Sequence, residues 1–443
     1  PTLASDFRFV IRPRVYPRRC RLPEEVIEQV GKLSDVGLSV LKALLGHGSE
    51  KPLRLALFQE RATVQILDNL NRKKSTGAIV CAGTGSGKTL AFYLPALTHI
   101  AGRVDGSYWT KCLAIYPRSE LLKDQFSETY TQARRIDEVM AENGKRKVTI
   151  GALFGATPKH RNVLNFNKAW AKVAEGYICP FIRCPRCGGK MVWKSVDIKD
   201  NREQLDCLRV RCGARILSDE VVLTREQMMK RRPDILFTTT EMLNQRIGDT
   251  SYQKLFGVGE SYYRRPDMVL LDEVHTYGGT SGAQVSMLLR RWRRAVRNSV
   301  QFVGLSATLK DATPYFAKLT GLSNSTVSEI SPVPEREMMS EGMEYLMAVK
   351  GDPVSGPGLL STTIQTAMLL RRTLEPAQGG RGEPLYGSKL FVFTDDLDVT
   401  NRLYFDLLDA EGQDSWGRPD NQKPHGSLAT LRSPTHPEHF ARL

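Results

Sequence analysis

Short apolar runs alternate with amphipathic segments through the middle of the chain. The runs have the length and composition of buried strands and occupy residues 77–81, 112–116, 148–153, 234–237, 268–271 and 299–305. Residues 90–100 follow the first run and have apolar side chains at helical spacing. Strands that alternate with helices build a parallel sheet with helices on both faces. The pattern therefore predicts an α/β fold around one such sheet.

The pattern is less regular at the two ends of the chain. Apolar positions at helical spacing predict a helix over residues 24–45. From about residue 323 the composition shifts towards Ser, Pro and Gly, which indicates a linker. Beyond it we predict a strand at residues 344–349, an amphipathic helix at residues 359–374 and a strand at residues 388–394. The last strand predicts the start of a second sheet domain.

A glycine-rich run lies between the first predicted strand and its helix. Residues 81–89 read Cys-Ala-Gly-Thr-Gly-Ser-Gly-Lys-Thr, and this order, between a strand and a helix, is the context of a phosphate-binding loop. Glycines let several backbone N–H groups point at one anion, and the helix N-terminus adds partial positive charge. Lys88 is expected to reach the β- and γ-phosphates of a nucleotide, and the Thr89 hydroxyl to ligate Mg²⁺. The predicted nucleotide-binding residues are Gly83, Thr84, Gly85, Ser86, Gly87, Lys88 and Thr89. The alternative is a glycine-rich turn that binds nothing.

Two adjacent carboxylates, Asp272 and Glu273, follow the predicted strand at residues 268–271. Such a pair at the end of a strand is unfavourable unless a cation neutralises it. Asp272 is therefore predicted to hold Mg²⁺, directly or through water. Glu273 is predicted to orient and deprotonate the water that attacks the γ-phosphate. The alternative is a solvated surface pair.

Three further polar residues gain meaning from their order relative to these motifs. The amide of Gln59, upstream of the glycine-rich run, has both a donor and an acceptor and can read adenine. An ordinary helix residue is the alternative for Gln59. Ser306 and Thr308 follow the strand at residues 299–305, where their hydroxyls can bond the acidic motif and relay the nucleotide state.

The chain is strongly basic, with 63 Lys and Arg against 48 Asp and Glu, a formal charge of +15. This excess favours a polyanionic partner, most often nucleic acid. The arginine-rich residues 8–21 either touch a nucleic-acid backbone or form a solvated or domain-clasping arm. For the basic helix at residues 287–297 we favour a solvated charged face over a nucleic-acid patch. No apolar run approaches the roughly 18 residues of a membrane span, so we expect no membrane contact.

Five of the eight cysteines lie between Cys179 and Cys212. Clustering of this kind predicts a metal site and a reducing, cytoplasmic location. Cys184, Cys187, Cys207 and Cys212 have the spacing C-x2-C-x19-C-x4-C, which is close to that of a zinc ribbon. Four thiolates with no open position favour structural zinc, with Cys179 as a substitute ligand and free buried thiols as the alternative. We assign residues 177–215 to this insertion, which would guide nucleic acid or dock a protein partner.

Taken in order, these motifs resemble those of superfamily 2 helicases of the DExH type. They comprise Gln59, the run at residues 82–89, Tyr-Pro-Arg-Ser-Glu-Leu-Leu-Lys-Asp-Gln at 116–125, Gly-Ala-Thr-Pro at 155–158, Thr-Thr-Thr-Glu-Met-Leu at 238–243, Asp-Glu-Val-His at 272–275 and Ser-Ala-Thr at 306–308. Residues 272–279 and 288–291 look most like the Hrq1/MrfA-type DNA-repair helicases, which have relatives in anti-phage defence systems.

This resemblance implies the organisation of the chain into RecA-like domains. A basic N-terminal extension would cover residues 1–52, and a first RecA-like domain with the zinc-ribbon insertion would cover residues 53–325. Residues 326–443 would form a linker and an incomplete second RecA-like domain. The family's arginine finger does not occur before Leu443, so we expect a fragment or an incompletely built enzyme.

The resemblance also implies roles for residues that follow the predicted strands. Pro117, Arg118, Thr157 and Thr239 would contact the backbone of one nucleic-acid strand, and His275 would couple the ATP site to it. Thr240 stands where many relatives have Pro, which leaves the shape of that loop open.

The sequence therefore predicts an ATP-dependent helicase or translocase that uses ATP, Mg²⁺ and Zn²⁺. We expect it to act on DNA rather than RNA, in repair or phage defence. The alternative is an ATP-gated nucleic-acid clamp that recruits effectors without unwinding. A phosphate-loop enzyme unrelated to nucleic acid is disfavoured, since the later motifs and the charge would then be coincidences. A protein partner would bind through the zinc ribbon or a C-terminal part beyond this chain.

Overall fold

The computed structural model describes residues 4–72, 74–83, 85–166, 168–307, 309–351, 359–373 and 389–418. The chain divides into two compact units. Residues 15–340 form the larger unit, and residues 1–14 together with residues 341–443 form the smaller one.

Strands and helices alternate along the described residues. The strands are β1 Ala4–Pro17, β2 Arg19–Arg21, β3 Leu55–Ala56, β4 Thr76–Cys81, β5 Cys112–Tyr116, β6 Ile150–Leu153, β7 Gly176–Arg183, β8 Lys190–Lys194, β9 Leu205–Cys207, β10 Arg215–Ile216, β11 Val221–Val222, β12 Ile235–Thr239, β13 Met268–Leu271, β14 Gln301–Ser306, β15 Val327–Ile330 and β16 Met338–Gly351. The helices are α1 Pro23–Gln29, α2 Asp35–Leu45, α3 Leu57–Leu70, α4 Lys88–Arg103, α5 Ser119–Arg134, α6 Asp137–Glu142, α7 Ser195–Lys199, α8 Arg225–Lys230, α9 Thr240–Arg246, α10 Thr250–Gln253, α11 Gly279–Val296, α12 Ala312–Thr320, α13 Pro334–Glu337, α14 Leu359–Thr373 and α15 Leu397–Ala410.

The larger unit is built on an eight-stranded sheet in the order β11-β6-β12-β5-β13-β14-β4-β15. All neighbouring strands are parallel, so the carboxyl ends of the strands share one edge of the sheet. Cys81 pairs with Ser306, and Leu271 pairs with Gly304. The predicted RecA-like α/β fold is confirmed.

Successive side chains of the central strands enter two different hydrophobic cores. In β4, Ala78 and Val80 join the core that contains Phe92 of α4, whereas Ile79 joins the core that contains Trp292 of α11. Both faces of the sheet are thus covered, which explains why its strands are apolar throughout rather than alternating with polar residues. Helices α3, α4 and α5 cover the first face, and α9, α11 and α12 cover the second.

A small antiparallel sheet with the order β10-β9-β8-β7 is inserted in the chain between β6 and β11 of the large sheet. It packs on α5, where the rings of Phe126 and Phe181 meet edge to face with centroids 5.3 Å apart. The insertion carries the four clustered cysteines, two between β7 and β8 and two around the end of β9.

The smaller unit contains a two-stranded sheet and a pair of helices. β1 pairs with β16, and within this unit Arg12 Nε donates a hydrogen bond to Glu344 Oε2 at 2.8 Å. Ile364 and Met368 of α14 pack with Leu403 and Ala410 of α15. None of the helices in the described part of the chain is both long and apolar enough to cross a bilayer.

Three predictions of local structure differ from the structure. The linker predicted from about residue 323 contains β15, Val327–Ile330, which pairs with β4 at the edge of the large sheet. The single helix predicted at residues 24–45 is two helices, because Ser34 starts α2 by accepting a hydrogen bond from the Gly37 N–H at 3.1 Å. The predicted strand at residues 388–394 was wrong for residues 389–394, which form no strand, and Ser388 lies outside the described residues. Phe391 and Phe393 are 73% and 89% exposed there, and an apolar segment without a pairing strand is not stable as β-structure. The second sheet domain therefore stays a prediction.

Gly304 in β14 provides a test of how tightly the second core is packed. A methyl group at this position would lie 2.6 Å from a ring carbon of Phe316. We expect Gly304→Ala to lower the free energy of unfolding by about 1 to 3 kcal/mol, measured by urea denaturation with tryptophan fluorescence. Gly106→Ala, which meets no atom within 4 Å, is the control. Equal unfolding midpoints for the two variants would contradict this packing.

Candidate active site

The glycine-rich run forms a tight loop between β4 and α4. Gly85 and Gly87 have φ angles of +78° and +81°, which side chains other than glycine rarely adopt. Gly87 is the residue before the first helical residue, Lys88, so the loop leads directly into the helix N-terminus. Thr84 lies outside the described residues. The rest of the loop has the backbone conformation that a phosphate-binding loop requires.

Two hydroxyls of this loop bear on its capacity to bind a ligand. Ser86 is 4% exposed, and its Oγ has no hydrogen-bond partner among the described residues. A buried hydroxyl without a partner is costly, so a bound group that satisfies it would be stabilised. Thr89 follows Lys88 in the first turn of α4 and is half-buried.

The acidic motif comes directly after β13 and faces this loop. Lys88 Nζ lies 3.6 Å from Glu273 Oε1. Asp272 is 5% exposed and accepts a hydrogen bond from the Glu273 N–H at 2.8 Å. Burial raises the pKa of Asp272 to about 6. A nearly buried carboxylate with this pKa fits a cation, which would offset the cost of its charge.

Glu273 itself has a left-handed backbone conformation with φ +48° and ψ +48°. This region is uncommon for residues other than glycine and asparagine. The turn directs the Glu273 carboxylate to both Lys88 and His275, since Oε2 lies 3.3 Å from His275 Nδ1. Strained backbone of this kind often occurs at functional positions.

His275 connects the acidic motif to the end of β14. Its Nδ1 lies 3.3 Å from Ser306 Oγ as well as near Glu273. Ser306 is fully buried, and its carbonyl accepts a hydrogen bond from the Ala82 N–H at 3.1 Å. Thr308, the other predicted relay residue, lies outside the described residues. Lys88, Glu273, His275 and Ser306 therefore form one continuous set of contacts.

Gln59 is brought to the loop by α3, but its amide is already engaged. Its Nε2 donates a hydrogen bond to the Gly87 carbonyl at 2.9 Å, and its Oε1 accepts one from the Ala56 N–H at 2.8 Å. The side chain is fully buried. In this structure Gln59 holds the loop against the start of α3, and its predicted contact with adenine stays a prediction.

Two residues that the sequence did not single out also reach the loop. A methyl group at Gly85 would lie 3.5 Å from a ring carbon of Tyr16, and one at Gly87 would lie 3.1 Å from a guanidinium nitrogen of Arg19. Both residues belong to the basic N-terminal stretch, where charge alone had suggested an arm. The arginine-rich stretch contains two aromatic residues, Phe9 and Tyr16, and the sequence gives no signal that distinguishes Tyr16 as the one near the loop.

The residues predicted to contact a nucleic-acid strand follow β5, β6 and β12, which are neighbours in the sheet. Pro117 and Arg118 come directly after β5, and Arg118 is exposed. The Thr157 hydroxyl is used locally, because it accepts from the Phe154 N–H at 3.1 Å and donates to the Ala152 carbonyl. Thr239 begins α9 by accepting from the Met242 N–H at 3.2 Å. These residues lie along one edge of the sheet.

The four cysteines of the insertion form a cluster suited to a tetrahedral metal ion. The Sγ atoms of Cys184, Cys187, Cys207 and Cys212 all lie within 4.8 Å of one another. Two pairs, Cys184 with Cys212 and Cys187 with Cys207, are 3.5 Å apart. Zn–S bonds of about 2.3 Å imply S···S distances of about 3.8 Å, so the cluster fits zinc. Cys179 is buried outside this cluster, and burial raises the pKa of its thiol to about 12.

Comparison with known proteins agrees with the motifs. The family model described as "DEAD/DEAH box helicase" matches residues 57–166 and 197–315, which is more than half of the chain. The chain is 23% identical to the Druantia protein DruE of Escherichia coli over 350 residues, 68% of this chain and 18% of that protein. It is 30% identical to the ATP-dependent helicase hrq1 of Schizosaccharomyces pombe over 110 residues, 24% of this chain and 10% of that protein.

Among solved structures, the chain is similar to that of the DUF1998 helicase MrfA bound to DNA. The TM-score is 0.47 at 17% sequence identity, with 84% of this chain and 38% of that chain covered. The chain spans less than a fifth of the length of the curated relatives named above. The family match covers the glycine loop, the acidic motif and Ser306, and it confirms the resemblance seen in the motifs. The chain belongs to the DEAD/DEAH box helicase family.

Proposed function

We propose that this chain hydrolyses ATP and couples hydrolysis to movement on nucleic acid, as a helicase or translocase. The observation that carries the proposal is the set of contacts from the glycine loop to the acidic motif. Lys88 Nζ is 3.6 Å from Glu273 Oε1, and His275 joins Glu273 to Ser306. Family membership supports the same activity.

Each residue of the site has a separate proposed role in ATP hydrolysis. When bound, Mg²⁺ neutralises charge on the phosphates of ATP. Thr89 and Asp272 would hold the ion, and the loop N–H groups and Ser86 Oγ would hold the phosphates. Lys88 now pairs with Glu273, and by turning to the phosphates it would release the Glu273 carboxylate to orient the attacking water. His275 would then pass the change at Glu273 on to Ser306.

We further propose that the nucleic acid is DNA and that the process is DNA repair or phage defence, in the cytoplasm. The resemblance to Hrq1/MrfA-type DNA-repair helicases supports DNA. The net charge of +15 supports a polyanionic partner. A strand would lie along the edge formed by Pro117, Arg118, Thr157 and Thr239, mainly through contacts with its phosphate backbone. The clustering of five of the eight cysteines, which suits a metal site better than a disulfide framework, supports a reducing compartment.

Glu273→Gln tests the hydrolytic role of the acidic motif. The amide cannot take a proton from water, so we expect the DNA-stimulated rate of phosphate release to fall by about 10² to 10⁴ while ATP binding persists. Glu142→Gln removes an exposed carboxylate at the end of α6, before the amino end of β6 and thus at the opposite edge of the sheet from the site, and serves as the control. An unchanged rate in Glu273→Gln would contradict the assignment. A wild-type rate that responds to neither DNA nor RNA would contradict the proposed function itself.

The same variant separates a helicase from an ATP-gated clamp. Strand displacement from a partial duplex should require hydrolysis and be lost in Glu273→Gln if the protein is a helicase. A biological activity that survives in this variant, with no displacement by the wild type, would favour the clamp. The clamp would recruit effectors, for which the cysteine-bearing insertion is one candidate surface.

The raised pKa of Asp272 predicts a measurable effect on stability. Its pKa rises from 3.8 to about 6 on folding, so the folded state binds the proton more tightly. The charged carboxylate therefore lowers the free energy of unfolding. This loss is absent below about pH 3.8 and complete above about pH 6, where it amounts to about 3 kcal/mol. Without Mg²⁺ and nucleotide, Asp272→Asn should therefore be more stable than the wild type at pH 8. The difference should shrink as the pH falls towards 4, as measured by urea denaturation, and a pH-independent difference would contradict this account.

We propose that the cysteine cluster holds one structural Zn²⁺. Cys212→Ser should lose the bound zinc, measured by elemental analysis, and should melt at a lower temperature because metal binding contributes to folding. Cys20→Ser, at an exposed thiol, and Cys179→Ser should both retain one zinc per chain. Zinc lost from Cys179→Ser, or no zinc in the wild type, would contradict the assignment.

A further inference from the structure

An open groove lies between α9 and α11 on the second face of the sheet. It has a volume of about 1140 Å³, and we name it the α9–α11 groove. The side chains that matter for its chemistry are Thr240, Asn244, Met287, Arg290, Arg291 and Arg294. Arg291 and Arg294 also line an adjoining hollow of about 430 Å³ with Arg265 and Arg297. The two hollows thus share a continuous row of guanidinium groups.

These arginines lack the acidic partners that usually accompany exposed arginines. Among the described residues, no carboxylate lies within 4 Å of a guanidinium nitrogen of Arg290, Arg291 or Arg294. Arg291 donates across the groove to Asn244 Oδ1 at 2.6 Å. The one carboxylate that lines the groove, Glu241, accepts a hydrogen bond from Gln245 on its own helix. The positive charge of the groove is therefore largely uncompensated.

The arginines of α11 differ in what they already do for the fold. Arg290 donates to the Lys318 carbonyl at 3.0 Å, and Arg293 donates to the Gly321 carbonyl at 3.0 Å. Both thereby bind the C-terminal end of α12, which is a structural role. Arg294 forms no hydrogen bond, ion pair or ring contact with any described residue. Arg291 and Arg294 are thus the side chains available to a ligand.

The groove begins at the edge of the sheet where the nucleic-acid strand is proposed to lie. Thr240 lines the groove and directly follows Thr239, a proposed strand contact at the carboxyl end of β12. Ser281, near the start of α11, lines the same end of the groove. A chain of phosphates that passes Thr239 would therefore lie next to the end of the groove that Thr240 and Ser281 line.

We propose that the α9–α11 groove binds the phosphate backbone of nucleic acid beyond the edge of the sheet, with Arg291 and Arg294 as the main contacts. This inference rests on the proposed function and extends its nucleic-acid path. The sequence had favoured a solvated charged face for the helix at residues 287–297. The lack of an acidic partner for Arg291 and Arg294 and their place in a groove favour a binding surface instead.

The chemistry of the groove selects a phosphate backbone rather than bases. A guanidinium group binds phosphate through two parallel N–H donors, and side chains three residues apart on a helix are neighbours. Arg291 and Arg294 can therefore contact adjacent phosphates. Such contacts carry no sequence information, so binding through the groove should be independent of base sequence.

Arg291→Gln combined with Arg294→Gln tests the proposal in the full chain. Binding to labelled DNA is measured by fluorescence anisotropy over a series of salt concentrations. Loss of two phosphate contacts should reduce the slope of log Kobs against log salt by about 1.4 to 1.8, equally for unrelated sequences. The DNA concentration that gives half-maximal stimulation of the ATPase should rise, because the loss of phosphate contacts weakens DNA binding.

Lys42→Gln combined with Arg72→Gln is the matched control. These exposed side chains lie on α2 and just after α3, on the opposite face of the sheet, and the change in net charge is the same. A salt slope of the groove variant equal to that of the control, with single-stranded and with partly duplex DNA alike, would overturn the proposal. A groove that binds an acidic protein instead would give this result. A reduced slope with only one of the two DNAs would identify the form of nucleic acid that the groove holds.

The failure of this inference can be told from a failure of the proposed function. Wild-type ATPase stimulated by DNA, with an unchanged salt slope in the groove variant, would reject the groove alone. Wild-type ATPase insensitive to DNA and RNA would reject the proposed function. If the double variant unfolds at a lower temperature, Arg294→Gln alone is the variant to test, because Arg294 makes no contact with the described residues that the change could remove. It should still reduce the slope by about 0.7 to 0.9.

Discussion

The parallel register of β4, β14 and β13 is the constraint on which the site depends. β14 lies between the other two, so the glycine loop after β4 and the acidic motif after β13 stand two strands apart, or about 10 Å. Lys88 and Glu273 span this distance with their side chains, and Ser306 occupies the end of the strand between them. A slip of one residue in either pairing would turn the terminal side chains to the other face of the sheet. The residues of the site are therefore brought together by the pairing of three strands rather than by any single loop.

Much of this arrangement follows from local sequence. Fully buried parallel strands need continuous apolar runs, and such runs marked all of the central strands. The loop could be recognised because its glycines meet a backbone requirement, seen in the positive φ of Gly85 and Gly87. The contacts of Gln59 could not be predicted, because its partners depend on the tertiary approach of α3 to the loop. The proximity of Tyr16 and Arg19 to the loop likewise arises from a segment distant in sequence.

The wrong predictions have one physical cause. The local order of apolar and polar residues does not show which other elements pack against a segment. Residues 389–394 contain four consecutive apolar residues, as a buried strand does, yet no described strand pairs with them. The break between α1 and α2 depends on a single serine cap. The apolar side of α11 was evident from Leu288, Leu289 and Trp292. The character of its charged side depends on α9, whose one carboxylate, Glu241, is bonded to Gln245 rather than to an arginine. A carboxylate instead of an amide at position 244 would form an ion pair with Arg291 and would compensate part of the positive charge of the groove.

The backbone of Glu273 has a consequence for how this fold can change. A left-handed conformation costs an ordinary L-residue about 1 to 2 kcal/mol, a cost that glycine does not bear. Only a residue with a long carboxylate can reach both Lys88 and His275 from this turn. Folding and chemistry therefore favour different residues at position 273. A glycine at position 273 would make the domain more stable by about this amount. The backbone strain at Glu273 is therefore a cost in stability that the domain carries next to the proposed site of ATP hydrolysis.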